Sequence, residues 1–334
     1  MRLTIKDIAA EAKVSVSTVS KCLNNYSDVS EETKRHVIET IQRMDYVPNT
    51  FARYVANKPT GVIGLTIPDV RDPYFAQSTY GIEQRLKESG LSLFLGNINR
   101  NEKSFLEFIL KAREMRFDGL IITPDSWSDD IVTALKNLEA PILSIRRRPP
   151  ENCPLTYIDA DHEKLAKEIL EYLYGLGHRK IAHAVIPNEA GIFRNNAYLD
   201  FCREYGIETR TADSNYPAAI LSDAVMNGEE SARKILSNWP DTTAIFAGSD
   251  FIALGVMSYL KKIGKRVPED ISVVGVGNNE YSSLPWFNLT TMELHRAEMG
   301  EKAAEMLIAM LEGKPQENIL FNATLIERGS TREI

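Results

Sequence analysis

At 334 residues, 43% hydrophobic and 25% charged, the chain is long enough for more than one folded unit and has ordinary globular composition. No apolar run reaches the roughly 18 residues a membrane helix needs, the opening MRLTIKDIAAEAK has no signal-peptide core, and Cys22, Cys153 and Cys202 form no CxxC pair. These features argue against a membrane span, an export signal, a disulfide framework and a zinc site, and a cytoplasmic protein is expected. Net charge is −7 but uneven: up to Lys58 nine Lys/Arg stand against seven Asp/Glu, giving +2 and leaving −9 for the rest. A slightly basic head on an acidic body suits nucleic-acid binding through the head alone.

Residues 4 to 46 read as three short helices. Thr4 with Asp7 is a capping-box-like start for Ile5 to Ala12, Ser15 can cap Val16 to Leu23, and Ser30 followed by Glu31 and Glu32 starts a helix to about Met44. Ile8, Ala9, Val14, Val19, Leu23, Val37, Ile41 and Met44 recur at helical spacing and supply one miniature core. A helix, a tight turn and a second helix opening on small hydroxylated residues is what a helix-turn-helix needs, because the second helix must enter the major groove without bulk near its N-terminus. Ser15, Ser17, Thr18 and Ser20 can donate to phosphates, and Lys21 projects from the same region. The competing reading is a generic helical hairpin with polar faces. Pro48 interrupts the pattern, Asn49 can cap Thr50 to Ala56, a segment too short to be a stable helix alone, and Lys58 to Gly61 reads as a linker.

From Val62 the texture changes. VIGLTI, LSLFLGNI, GLIITP and PILSI alternate with amphipathic stretches, and the second half repeats the alternation through KIAHAVI, AIFAG and ISVVGVG. Such alternation builds parallel sheets covered by helices on both faces. The expected architecture is a small all-α helix-turn-helix headpiece, residues 1–48, a hinge and linker, 49–60, and an α/β core, 61–334, of two doubly wound parallel-sheet subdomains with a cleft between them. The subdomains are expected at about 61–159 with 290–317 and about 160–289 with 318–330.

Ligands of open α/β sheets bind beyond the carboxyl ends of the strands. That rule selects Asp69, Tyr74 and Phe75 after the first strand, Thr123 and Asp125 after the third, Arg146 after the fourth, Arg194 at a helix start, Ser249 with Asp250, and Asn278. Enzyme signals are thin. Gly275-Val276-Gly277-Asn278 lacks a third glycine, no GxxxxGK[ST], GxSxG or HExxH occurs, and His36, His162, His178, His183 and His295 are scattered and read as ordinary. No enzyme activity and no cofactor are expected.

The stretch from Thr4 to Asn24, with Val29-Ser30-Glu31-Glu32-Thr33, Tyr46-Val47-Pro48-Asn49 and Ala52-Arg53, closely resembles the headpiece of the lactose-repressor/galactose-repressor family. The resemblance continues in Val62-Ile63-Gly64-Leu65, Pro73-Tyr74-Phe75, Phe117-Asp118-Gly119-Leu120-Ile121, Gly177-His178-Arg179-Lys180-Ile181-Ala182 and the run from Val267 to Gly275. It implies a homodimer or tetramer on a near-palindromic operator, with a periplasmic-binding-protein-like core that senses a metabolite. By position, it implies that Val16, Ser17 and Lys21 read base edges while Ser15, Thr18, Ser20, Asn24, Ser30, Thr33, Tyr46 and Asn49 lie along phosphates. Asp28 departs from the histidine of the lactose repressor and, as a carboxylate, is not expected to face phosphate. Residues 49 to 57, with Arg53, correspond to a hinge helix that folds on DNA, with Val55 where family members place a leucine wedge. Arg194 and Asp250 match family effector-site positions. Where sugar-sensing relatives carry acidic residues after two core strands, this chain has Arg146 and Gly277, so an anionic effector such as a sugar phosphate or sugar acid is expected over a neutral sugar. A transport-type solute receptor would fit the body but leaves the headpiece unexplained, and an enzyme on the same sheet lacks a catalytic set.

Overall fold

Three capped helices open the chain: α1 (Ile5–Glu11), α2 (Val16–Leu23) and α3 (Glu31–Arg43). The computed structural model describes residues 3–23, 26, 28–46, 59–213 and 221–334, and the chain divides after Thr60 into two compact units. In the first, the N–H and Oγ1 of Thr4 both donate to Asp7 Oδ2 at 2.7 Å, Ser15 Oγ accepts from Thr18 N at 3.0 Å, and Ser30 Oγ accepts from Thr33 N at 3.2 Å. A local side chain therefore steadies each helix start. Lys13, at φ +53°, takes the left-handed conformation that reverses the chain between α1 and α2. Ile8, Val19 and Val37, one from each helix, are fully buried, and Ala9, Ala12, Cys22 and Tyr46 close around them.

The second unit alternates strand and helix. Its first half runs β1 (Val62–Ile67), α4 (Tyr74–Glu88), β2 (Ser92–Asn97), α5 (Glu102–Glu114), β3 (Gly119–Ile122), α6 (Asp129–Lys136), β4 (Ile142–Ile145) and β5 (Thr156–Ala160). The second half runs α7 (His162–Gly175), β6 (Ile181–Ala184), α8 (Glu189–Tyr205), β7 (Thr211–Ala212), α9 (Leu221–Asn238), β8 (Ala244–Ala247), α10 (Asp250–Lys262) and β9 (Ser272–Val276). The chain closes with β10 (Thr290–Glu293), α11 (Arg296–Leu311), β11 (Ile319–Phe321) and β12 (Thr324–Ile326). β3 and β4 are buried at every residue, as central strands covered on both faces must be. Along β3, Leu120 and Ile122 join the cluster of α5 and α6 while Ile121 joins that of α4 and α11, which is the pleat sorting alternate side chains to opposite layers.

The strands form two six-stranded sheets, ordered β11-β5-β4-β3-β1-β2 and β12-β10-β9-β8-β6-β7, parallel except for the antiparallel pair β10–β12. The expected subdomain boundaries need correction here. β10 was placed in the first subdomain but pairs with β9 in the second sheet, Thr290 opposite Val274, and β11 was placed in the second but pairs with β5 in the first, Ile319 opposite Ile158. The chain therefore passes between sheets three times: after β5, after β10 and between β11 and β12. An apolar run states only that it is a strand; which sheet it joins depends on partners elsewhere in the chain, as when Ile319 pairs with Ile158. α11 returns to the first subdomain and seats against α4 so closely that a Cβ on Gly81 would lie 2.0 Å from the Ala297 carbonyl oxygen. Among the described residues no helix is long and apolar enough to cross a membrane.

Candidate DNA interface and effector cleft

α2 presents Ser15, Val16 and Ser17 to solvent, Val16 with 41% of its surface exposed, while Val19 and Cys22 hold the other face in the core. An exposed valine beside two serines at a helix start is a costly surface for an isolated protein and a suitable one for a groove of methyl groups and phosphates. Thr18, Ser20 and Lys21 are half-buried along the same helix, and the hydroxyls of Ser15 and Thr18 lie 2.8 Å apart. Ser30 and Thr33 repeat that arrangement at the start of α3, also at 2.8 Å. Lys21 Nζ is ion-paired with Asp28, the residue set aside above, with both side chains about half exposed. Tyr46 departs from its expected place along the phosphates. Its N–H donates to the Ile41 carbonyl oxygen at 3.0 Å, which folds the chain back over α3, and its ring is only 8% exposed in the headpiece core. Asn24, Asn49, Arg53 and Val55, and the hinge as far as residue 58, lie outside the described residues.

In the core, the run Arg146-Arg147-Arg148 after β4 separates into three roles. Arg146, held at φ +65°, lays its guanidinium over two rings of α4, with Cζ 3.9 Å from the Tyr74 centroid and 4.4 Å from that of Phe75. Its Nε and Nη1 are buried and have no hydrogen-bond partner among the described residues. Arg147 reaches across to the second subdomain, Nη1 donating to Glu189 Oε2 at 2.9 Å, with Asp125 Oδ1 3.8 Å from Nη2. Arg148 donates to Asp159 at 3.2 Å and Glu163 at 3.3 Å and stacks on Phe193 of α8, Cζ 4.0 Å from its centroid.

From the opposite side, α8 contributes Arg194, 4% exposed, whose Nη1 donates to the Gly248 carbonyl oxygen at 2.5 Å and whose Nη2 meets His162 Nδ1 at 3.2 Å. Its Nε is buried and unpartnered. Burial brings the Arg194 pKa down to about 10, so the group is still a cation at neutral pH. His162 is pushed below the usual histidine range by burial and by the Arg194 charge. Two guanidiniums with unpartnered buried N–H groups thus come from opposite subdomains, near enough for the Arg146 charge to act on Arg194, and Arg146 lies over Tyr74 and Phe75. Asp125 Oδ1 is buried without a hydrogen bond among the described residues, with Arg100 Nη1 at 3.7 Å and Arg147 Nη2 at 3.8 Å as its ion-pair neighbours.

Several expected ligand contacts are occupied internally. Asp69, 2% exposed, takes the Nε and N–H of Arg71 at 2.9 Å and its Nη2 at 2.7 Å. Asp250 is 0% exposed and accepts from Thr291 Oγ1 at 2.5 Å, Ser282 Oγ at 2.7 Å, and Asn279 through N at 2.8 Å and Nδ2 at 3.3 Å. Asp69 is thus held within its own loop by Arg71, and Asp250 ties α10 to the segments around Asn279, Ser282 and Thr291. Asn278 points elsewhere, donating to Glu293 at 2.6 Å and accepting from Arg328 at 2.7 Å. Thr123 donates its N–H to Thr66 Oγ1 at 2.9 Å, and Ser249 caps α10 by accepting from Ile252 N at 3.2 Å. Arg147, Arg148, His162, Phe193 and Arg296 escaped the sequence reading. Arg296, 1% exposed at the start of α11, donates to Gln77 at 3.0 Å and to the Gly277 carbonyl oxygen at 2.5 Å, joining both subdomains, and its Cζ is 4.7 Å from the Tyr74 centroid. Nothing in its local sequence distinguishes it from a surface arginine.

Comparison with known proteins accounts for the whole chain. Residues 4–49 match the profile described as bacterial regulatory proteins, lacI family, and residues 170–331 match a periplasmic binding protein-like domain. The HTH-type transcriptional repressor CytR of Escherichia coli strain K12 is 30% identical over 340 residues, covering 99% of this chain and 97% of that protein. The uncharacterized HTH-type transcriptional regulator YkvZ of Bacillus subtilis strain 168 is 32% identical over 332 residues, covering 98% and 99%. Among solved structures, the lac repressor dimer bound to operator and the anti-inducer ONPF superposes with a TM-score of 0.86 at 25% identity, covering 99% of this chain and 100% of that one.

Proposed function

The chain belongs to the LacI family of bacterial regulatory proteins, and from that premise we propose that its core senses an anionic metabolite, such as a sugar phosphate or sugar acid, to control operator binding. It is a DNA-binding transcription regulator with a headpiece and an effector-binding core, dimeric in the manner of the lac repressor, and its relatives are repressors rather than enzymes. On a near-palindromic operator, Val16, Ser17 and Lys21 read base edges while Ser15, Thr18, Ser20, Ser30 and Thr33 hold phosphates. A second ligand, bound between the subdomains, shifts the population of the DNA-competent arrangement by its differential affinity for the two states.

The observation that carries the anionic reading is Arg146. A guanidinium with Nε and Nη1 buried and unpartnered, on a residue kept in a left-handed backbone conformation, is a cost that a bound anion removes. Its planar guanidinium suits carboxylate or phosphate oxygens, and Arg194 adds the one N–H it has left, on Nε. Asp125 Oδ1 supplies an acceptor for a hydroxyl on the same ligand. Calorimetric titration of the full chain with neutral sugars and their phosphorylated and oxidised counterparts tests this. Tight binding is expected only for charged members, lost in Arg146→Ala; tight binding of a neutral sugar that survives Arg146→Ala overturns the reading.

A further inference from the structure

Asp161 caps α7 by accepting from Lys164 N at 3.0 Å, which makes His162 the first residue of the helix and turns its ring inward, 4% exposed. There it stands between strand β5 and helix α8. Its Nδ1 is 3.2 Å from Arg194 Nη2, its Nε2 is 3.3 Å from Asp159 Oδ1, and the ring stacks on Phe193 with centroids 6.4 Å apart and planes 15° apart. A guanidinium nitrogen can only donate. Nδ1 must therefore carry a lone pair, the proton sits on Nε2, and Nε2–H donates to Asp159. We infer that His162 is a positioning residue for effector recognition: as the neutral Nε2–H tautomer it passes the Asp159 charge to Arg194 and fixes the guanidinium so that its Nε–H is left for the ligand.

The geometry of Arg194 supports this. Gly248 holds Nη1 and His162 holds Nη2, so two acceptors from two different elements set the guanidinium plane and only Nε stays free. The charged groups facing His162 are Asp159 from β5, Arg194 from α8 and Arg148 from the loop after β4, while Arg146 from the same loop acts on Asp159; Glu163 on its own helix is tied to Arg148. Protonation would set an imidazolium against Arg194 and remove the acceptor for Nη2. Asp159, for its part, is pushed up by burial yet held below the ordinary carboxylate value by the His162 hydrogen bond and the Arg148 and Arg146 charges, so it remains an anion for Nε2–H to meet. The neighbours hold the tautomer that already predominates in a free neutral imidazole and exclude the Nδ1–H form.

This inference rests on the anionic reading of the cleft, and the test separates the two. Long-range proton–nitrogen spectra of the imidazoles in the full chain, without ligand, are expected to show His162 as the neutral Nε2–H tautomer at pH 7; an Nδ1–H tautomer or an imidazolium overturns the inference whatever the ligand. Calorimetry then uses two probes, inorganic phosphate and glucose 6-phosphate, on wild type, His162→Asn, His162→Gln and His162→Ala, with thermal midpoints as the check on folding. The asparagine amide oxygen can take the place of Nδ1, whereas the glutamine amide reaches the place of Nε2. Affinity for whichever probe binds is expected to stay within about threefold in His162→Asn and to fall at least tenfold in His162→Gln and His162→Ala. Equal affinity in wild type and a folded His162→Ala overturns the positioning role. Failure of both probes on wild type counts against the anionic reading, and the imidazole spectrum still decides what His162 does to Arg194.

Discussion

The headpiece and the cleft use polar side chains in opposite ways. The headpiece sets its functional residues outward over a mostly apolar core; the cleft draws arginines, acids and histidines inward and lets them satisfy one another. The first arrangement recognises a partner that is itself a regular charged surface, so it needs little preorganisation. The second recognises one small molecule, and its selectivity comes from which buried donors have been left without a partner.

Acid should separate the two regions most. His178 and His183 are fully buried in the core, His178 between Thr243 and Ser272 and His183 against Phe246, and burial lowers both to about 4. A folded-state pKa below the unfolded value means that the unfolded chain binds protons first. Stability is then intact above about pH 6.5 and declines as pH falls toward 4, by on the order of 3 kcal/mol for each imidazole. No histidine is buried among the described headpiece residues. All three tryptophans, Trp127, Trp239 and Trp286, lie in the core, so tryptophan fluorescence in urea at fixed protomer concentration reports that unit alone. Its midpoint should drop steeply from pH 7 to 4.5 while the amide signals of α1 to α3 move less; a flat fluorescence midpoint would refute the linkage.

Within the cleft, Arg194→Ala leaves His162 and the Gly248 carbonyl without their donor and should weaken an anionic effector by about 2–5 kcal/mol. Operator affinity measured without effector should change far less, and an equal loss in both would mean that Arg194 supports the fold rather than the ligand. On the headpiece side, Lys21→Ala should cost about 1–3 kcal/mol on operator and much less on random DNA. Equal losses would make Lys21 a phosphate contact. The smallest effect is expected from Asp28→Asn. An exposed ion pair such as Lys21–Asp28 adds little to stability, so unfolding should barely change. Releasing Lys21 should nonetheless strengthen binding to random DNA and steepen the log–log salt dependence by about one charge. An unchanged slope would show that the pair is already open on DNA.

These regions also differ in how far they were legible in sequence. α2 runs Val16–Leu23 as read, and α1 and α3 end within one residue of expectation, because Thr4, Ser15 and Ser30 and the apolar spacing act over single turns. Tyr46 is a near miss: its place in the chain was noted, but its burial depends on the return of the chain over Ile41. In the cleft, Arg146 could be named because it follows a strand end; Arg194 is expected at a helix start, but α8 opens five residues earlier at Glu189. Asn278 satisfied the same rule and failed it, since Glu293 and Arg328, supplied by β10 and the C-terminal segment, captured its amide.

Local chemistry in the sequence was sufficient for the three capped helices, the alternating α/β core and the charge division between head and body, since caps, periodicity and composition are properties of neighbouring residues, while the choice of a helix-turn-helix over a plain helical hairpin rested on the family resemblance. Only the tertiary structure decided that β10 and β11 exchange sheets, that Asp69 and Asp250 are consumed by their own subdomain, and that Arg296 and His162 belong to the cleft. The reason is physical: apart from Asp69, which Arg71 takes up from two residues away, whether a buried polar group is free or spent depends on partners brought to it by strands and helices distant in the chain.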